Sequence, residues 1–161
     1  QIVRADFYNP FAQFIVKLSN PLLLPLRRII PGVGGIDWAS VVLLLILQTV
    51  KLLLLGILSG YGVQPAALGL RAVVELVELT LWVYIIAVFV RVLASWFASP
   101  YGGNPLMDVL ISLTEPLMRP ARRLIPAVSG IDLSPIAVLL FLQILLLLVA
   151  NLTPALAAVA R

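Results

Sequence analysis

Three stretches of the sequence stay apolar for about twenty residues or more, and nothing constrains the fold more. Trp38–Leu58, Ala72–Ala98 and Ile136–Ala157 are each long enough to span, because a bilayer core of ~30 Å takes about 20 helical residues. The middle stretch is the longest and calls for tilt or protrusion. Of the 161 residues, 62% are hydrophobic and 11% are charged, against ~25% charged in soluble domains. The mean hydropathy of +1.13 agrees. The expectation is an all-α membrane protein.

With so few charges, a net charge of +4 and a pI of about 10.0 point to positive residues gathered at one membrane face, not to nucleic acid. The chain has no Cys and no His. That excludes disulfides, a thiol nucleophile, the usual zinc sites and haem ligation by His. No cofactor, metal or enzymatic activity is expected. No nucleophile–base pair, phosphate-binding loop or cleavable signal is visible.

The chain matches itself under a shift that carries Arg27 onto Arg122. Asn9-Pro10 then meets Asn104-Pro105, Pro21 meets Pro116, Pro25 meets Pro120 and Arg27-Arg28 meets Arg122-Arg123. Further along, Pro31 meets Pro126, Gly35-Ile36-Asp37 meets Gly130-Ile131-Asp132 and Gln48 meets Gln143. Roughly 20 of about 45 positions are identical, and leucine-rich composition alone cannot align prolines, arginines, Asp and Gln together. The pattern is an internal duplication. Repeat 1 is read as residues 1–58, a Gly/Pro linker as 59–69 and repeat 2 as 70–161.

Two spans lie between the copies of the shared motif, so both copies face the same side and the repeats are parallel. Repeat 2 has a span before its motif, whereas repeat 1 has only Gln1–Asp6. By the repeat logic a further span is expected ahead of Gln1, giving three spans here and four in the full protein.

Between its spans each repeat carries a semi-apolar segment, residues 9–30 and 104–125. Asn9 and Asn104 suit a helix N-cap, and Pro10 and Pro105 suit the first helical position. Phe11, Phe14, Ile15 and Leu18 form one helical face, as do Leu106, Val109, Leu110 and Leu113. A second short helix is expected from Pro21 (capped by Asn20) and from Pro116 (capped by Thr114 or Glu115). The result would be an amphipathic interfacial hairpin in each repeat.

Arg27, Arg28, Arg122 and Arg123, near the ends of these hairpins, complement the helix dipole and can reach lipid phosphates in bidentate fashion. Lys17, Arg91 and Arg119 fall on the same side, which the positive-inside rule makes cytoplasmic. Topology and lipid anchoring, partner or anion docking, and permeation are the readings open to them. Asp37 and Asp132 follow each hairpin at the start of a span, where helix capping and an ion pair to the arginines are both open.

Gln48 and Gln143 fall near mid-span. Parallel repeats could pair them as interhelical glue, or they could line a route. Lys51 has no counterpart, since Leu146 takes its place. Its expected partner is Glu78 on the antiparallel span, with Arg71–Glu75 an i, i+4 pair nearer the surface. Arg91 is placed to snorkel toward the arginine-rich face.

The string "DFYNPFAQFIVKLSNPLLLPLRRIIPGVGGID", with "RVLASW" at 91–96 and "NPLMDVLISLTEPLMRPARRLIPAVSGIDLSP", resembles the YggT family of small bacterial integral membrane proteins, which has plastid relatives. The likeness covers essentially the whole chain. It departs mildly at Ala121, Ala127 and Ser129, which stand where the first copy has Leu26, Gly32 and Gly34. It implies two copies and four spans but no established biochemical activity. The family is linked to osmotic or salt tolerance, to envelope and division processes and, in plastids, to cytochrome b assembly.

The functional expectation is a non-enzymatic scaffold or assembly factor of the bacterial inner membrane, multi-pass, with its arginine hairpins cytoplasmic. Its partners would be anionic lipid headgroups, another membrane protein or further copies of itself. A small channel or transporter subunit concerned with potassium balance is the alternative.

Overall fold

The computed structural model describes residues 8–60, 65–97, 104–125 and 132–159. These form five helices: α1 (Pro10–Ile29), α2 (Trp38–Leu58), α3 (Pro65–Phe97), α4 (Pro105–Leu124) and α5 (Ser134–Val159). Three are long and apolar enough to cross a membrane, over Trp38–Leu58, Leu68–Trp96 and Ser134–Leu152. Most of their large side chains point outward; Leu44, Ile46 and Leu47 of α2 and Leu140, Phe141 and Ile144 of α5 are all exposed. In water each such side chain would forgo about 1.5–3 kcal/mol of burial, whereas hydrocarbon surroundings remove that penalty. The chain is a membrane protein.

Local chemistry sets the helix starts. Asn9 Oδ1 accepts from Phe11 N at 2.9 Å and Asn104 Oδ1 accepts from Leu106 N at 3.0 Å, so each caps a helix that begins with proline. Between α1 and α2 the chain reverses at Gly34 and Gly35, with φ of 66° and 78°. Val33 and Ile36 exchange both backbone hydrogen bonds across them, each 3.2 Å long. Two successive positive φ values define a type I′ turn, which glycine enters without steric cost. The corresponding stretch in the second copy, with Ala127 and Ser129, lies outside the described residues.

Two expectations from the sequence are corrected. The short helix pairs are not hairpins: α1 runs unbroken through Pro21 and Pro25, and α4 through Pro116 and Pro120. Each proline removes one backbone donor. Within each pair, though, the prolines are four residues apart, so both gaps fall along one stripe of the helix. All four prolines are exposed, where water or lipid headgroups can satisfy the freed carbonyls. The linker is also shorter than expected. Ser59 caps α2, Gly60 follows at a φ of 68°, and α3 already begins at Pro65, which suits a first helical position.

The chain divides into two packing units, residues 1–20 with 82–144 and residues 21–81 with 145–161. In the first, buried side chains come from α3 (Ile85, Ala87, Val88), α4 (Thr114, Met118) and α5 (Val138, Leu142). The start of α1 is tied to the start of α4, because Asn9 Nδ2 donates to the Pro105 carbonyl at 2.7 Å. In the second, Leu23, Ala39, Gln48, Leu52, Ala72 and Val74 are buried.

Candidate functional site: paired arginines and two carboxylate hubs

The two copies of the arginine motif are used alike. Arg27 Nε donates to Asp37 Oδ2 at 2.9 Å, and Arg122 Nε donates to Asp132 Oδ2 at 3.1 Å. Each aspartate also caps the helix that follows it. Asp37 accepts from Ser40 N at 3.4 Å and from Ser40 Oγ at 2.7 Å. Asp132 accepts from Ser134 N at 2.9 Å and from Ser134 Oγ. Capping and ion pairing, the two roles weighed for these aspartates, therefore coexist. The hydrogen bond from Arg27 is the main reason the Asp37 carboxyl sits below its ordinary pKa, with Ser40 assisting and burial opposing. For Asp132 the Ser134 hydroxyl leads, followed by the Ser134 backbone and Arg122, again against burial. The second arginine of each pair, Arg28 or Arg123, stays exposed in the last turn of its helix, where a cation complements the dipole.

In the unit containing α2, Glu75 of α3 is a hub. Its Oε2 accepts from Gln48 Nε2 and from Lys51 Nζ, both at 2.6 Å, and its Oε1 accepts from Arg71 Nε at 3.0 Å. The carboxylate is 16% exposed, while Lys51 and Arg71 are about half exposed. Lys51 thus reaches Glu75, one helical turn before the expected Glu78. Gln48 likewise spends its amide on Glu75 and not on Gln143, whose side chain is exposed. An ionised acceptor outcompetes a neutral amide for a buried donor, which explains why Gln48 turns to Glu75.

The other unit has its own hub at Glu115. Arg91 donates to Glu115 Oε2 at 3.1 Å and to Thr114 Oγ1 at 2.6 Å. Arg122 Nη1 lies 3.2 Å from Glu115 Oε1, and Arg119 is a looser third cation at 3.7 Å. Thr114 and Glu115, expected as caps of a second short helix, are mid-helix residues instead. Thr114 is fully buried and also donates to Leu110 O. This hub was legible only with α4 continuous: residues 115, 119 and 122 then share a face at i, i+4 and i+7. Lys17 is exposed on α1.

Beside the Glu115 hub lies an open cleft of about 410 Å³. One stripe of α3 (Val88, Arg91, Val92, Ser95, Trp96) and one of α4 (Met107, Ile111, Met118, Arg122) form its walls, with Asp132 and Pro135 at its end.

The sequence profile of the CCB3/YggT family matches residues 2–58 and 70–153. An uncharacterized protein of Pseudomonas aeruginosa is 44% identical over 153 residues, covering 94% of this chain and 77% of that relative. The uncharacterized protein YggT of Escherichia coli K12 is 39% identical over 146 residues, covering 90% of this chain and 74% of its own length. The uncharacterized protein ycf19 of Guillardia theta is 33% identical over 72 residues, which are 44% of this chain and 78% of that one. No solved structure matches. The chain belongs to the CCB3/YggT family.

Proposed function

We propose that this protein is a non-enzymatic scaffold or assembly factor of the bacterial inner membrane, built as a tandem parallel repeat. In this reading α1 and α4 lie along the cytoplasmic face as amphipathic helices and present arginines to anionic lipid headgroups or to a membrane-protein partner. A link to osmotic stress or envelope processes is part of this reading, and the family resemblance is what supports it.

The repeated use of each arginine pair carries the reading. One arginine is locked to the aspartate that caps the next helix, and its neighbour is left exposed. The locked residue fixes the helix end against the span, and the exposed one is available to an outside anion. Three further observations support the duplication. Helices α1 and α4 keep the same shift at both ends, and the two stretches matched by the family profile fall one on each copy. The Guillardia theta relative is about the size of one copy. The exposed Phe11, Phe14, Ile15 and Leu18 of α1 suit the headgroup boundary.

A potassium pore is the competing reading. Gln48, Lys51 and Arg71 all donate to Glu75, so a polar route through the spans would require an oligomer. The test is reconstitution of the full chain in liposomes of phosphatidylglycerol and phosphatidylcholine, with potassium flux and co-purifying lipid both measured. The scaffold reading gives no flux above empty vesicles and an enrichment of phosphatidylglycerol that Arg28→Gln with Arg123→Gln abolishes. Protein-dependent flux altered by the same variant supports the pore.

A further inference from the structure

The cleft between α3 and α4 joins two chemistries. Its sides are apolar, from Val92, Met107 and Ile111, and two guanidinium groups, Arg91 and Arg122, line it as well. Arg91 is only 14% exposed. Arg91 spends two donors on Thr114 and Glu115, and Arg122 spends two on Asp132 and Glu115. A guanidinium has five, so each arginine keeps donors for a further oxygen ligand. The local charge is also positive, with Arg91, Arg119 and Arg122 set against Glu115 and Asp132. The volume of about 410 Å³ is within the ~300–1,000 Å³ of ligand pockets.

Two further features suit an amphiphile. Met107 lines the α4 wall of this cleft at a half-buried position, and a flexible thioether side chain adapts to apolar ligands of variable shape. Trp96, 76% exposed, contributes the type of ring that favours the membrane–water boundary.

We propose that the cleft binds one anionic phospholipid, its phosphate on Arg91 and Arg122 and an acyl chain along Val92, Met107 and Ile111. The inference rests on the reading that this face meets anionic lipid, and it narrows that reading to a single specific site. Free phosphate would satisfy the arginines but leave the apolar walls unused, and a neutral lipid the reverse.

The experiment uses the full chain in detergent with Trp38→Phe and Trp82→Phe, leaving Trp96 as the reporter. Quenching by brominated phosphatidylglycerol is titrated against brominated phosphatidylcholine. Expected is saturable quenching at least about tenfold stronger with phosphatidylglycerol. It is lost in Ser95→Phe and in Ile111→Phe, which fill the cleft from opposite walls and leave the arginines in place. Both positions are exposed, and either variant alone decides. Equal quenching by the two lipids overturns the proposal, and so does release of the brominated lipid by millimolar inorganic phosphate. If the preference survives both cleft variants but vanishes in Arg28→Gln with Arg123→Gln, the cleft is wrong while the broader lipid-facing reading stands.

Discussion

Lys51 and Glu75 meet at 2.6 Å across two apolar helices, and Gln48, one turn from Lys51, donates to the same carboxylate oxygen. One acceptor thus satisfies the buried amide and the lysine together, and Arg71 occupies the other oxygen. In hydrocarbon an unsatisfied polar group is costly, so the arrangement is held by its acceptor more than by any one donor.

Glu75→Ala is accordingly expected to destabilise the fold by about 2–4 kcal/mol, because it strands a buried amide and two cations. Lys51→Met, at a half-exposed position, should cost about 1 kcal/mol or less. Unfolding of the purified protein in mixed micelles measures both. Equal costs would show that Glu75 is not the hub.

Asn9 and Asn104 occupy matching positions but do different work. Both cap a helix, yet only Asn9 is buried, and its amide also donates to Pro105 O. Asn104→Ala should cost about 1 kcal/mol as a lost cap. Asn9→Ala should cost about 1 kcal/mol more, since it also removes the buried hydrogen bond that ties the start of α1 to the start of α4. The same unfolding assay compares them.

Around Glu115 the three cations should differ sharply. Arg91 is 14% exposed and bonded twice, while Arg119 is 75% exposed at 3.7 Å. Arg119→Gln should change stability by less than about 0.5 kcal/mol. Arg91→Gln should cost about 2–3 kcal/mol, because it removes a largely buried cation together with its bonds to Thr114 Oγ1 and Glu115 Oε2.

Asp37 and Asp132 give a pH dependence of known sign. Their carboxyls titrate below the ordinary value of 3.8 when folded. The stabilisation they supply is therefore complete above about pH 5 and is lost as pH falls through the folded pKa values, below about pH 4. Thermal unfolding midpoints should be flat from pH 7 to 5 and drop below pH 4. Asp37→Asn with Asp132→Asn should start lower and lose less on acidification.

Much of this was legible in the sequence because it is local. Asn-Pro and Gly-Ile-Asp mark helix starts through capping chemistry that acts within three residues, and the bounds of α2 follow from its apolar run. The break expected at Pro21 and Pro116 failed because a proline costs one hydrogen bond, and an exposed stripe tolerates that loss. The hubs were harder to read. Whether Lys51 meets Glu75 or Glu78 depends on how two helices slide and rotate against each other, by less than one turn. Uniform leucine faces carry almost no information on that register. Glu115 was hidden by the same assumption that broke α4 in two.

The most direct test of the central claim, that both arginine-bearing helices lie at one membrane face, uses the absence of cysteine from this sequence. Single cysteines at Ser19 on α1, Ser112 on α4 and Ser59 after α2 would be labelled with a membrane-impermeant maleimide in spheroplasts and in inverted vesicles. The account predicts that positions 19 and 112 label only in inverted vesicles and position 59 only in spheroplasts. Labelling of 19 and 112 from opposite sides would contradict the parallel repeat, and with it the shared lipid-facing surface.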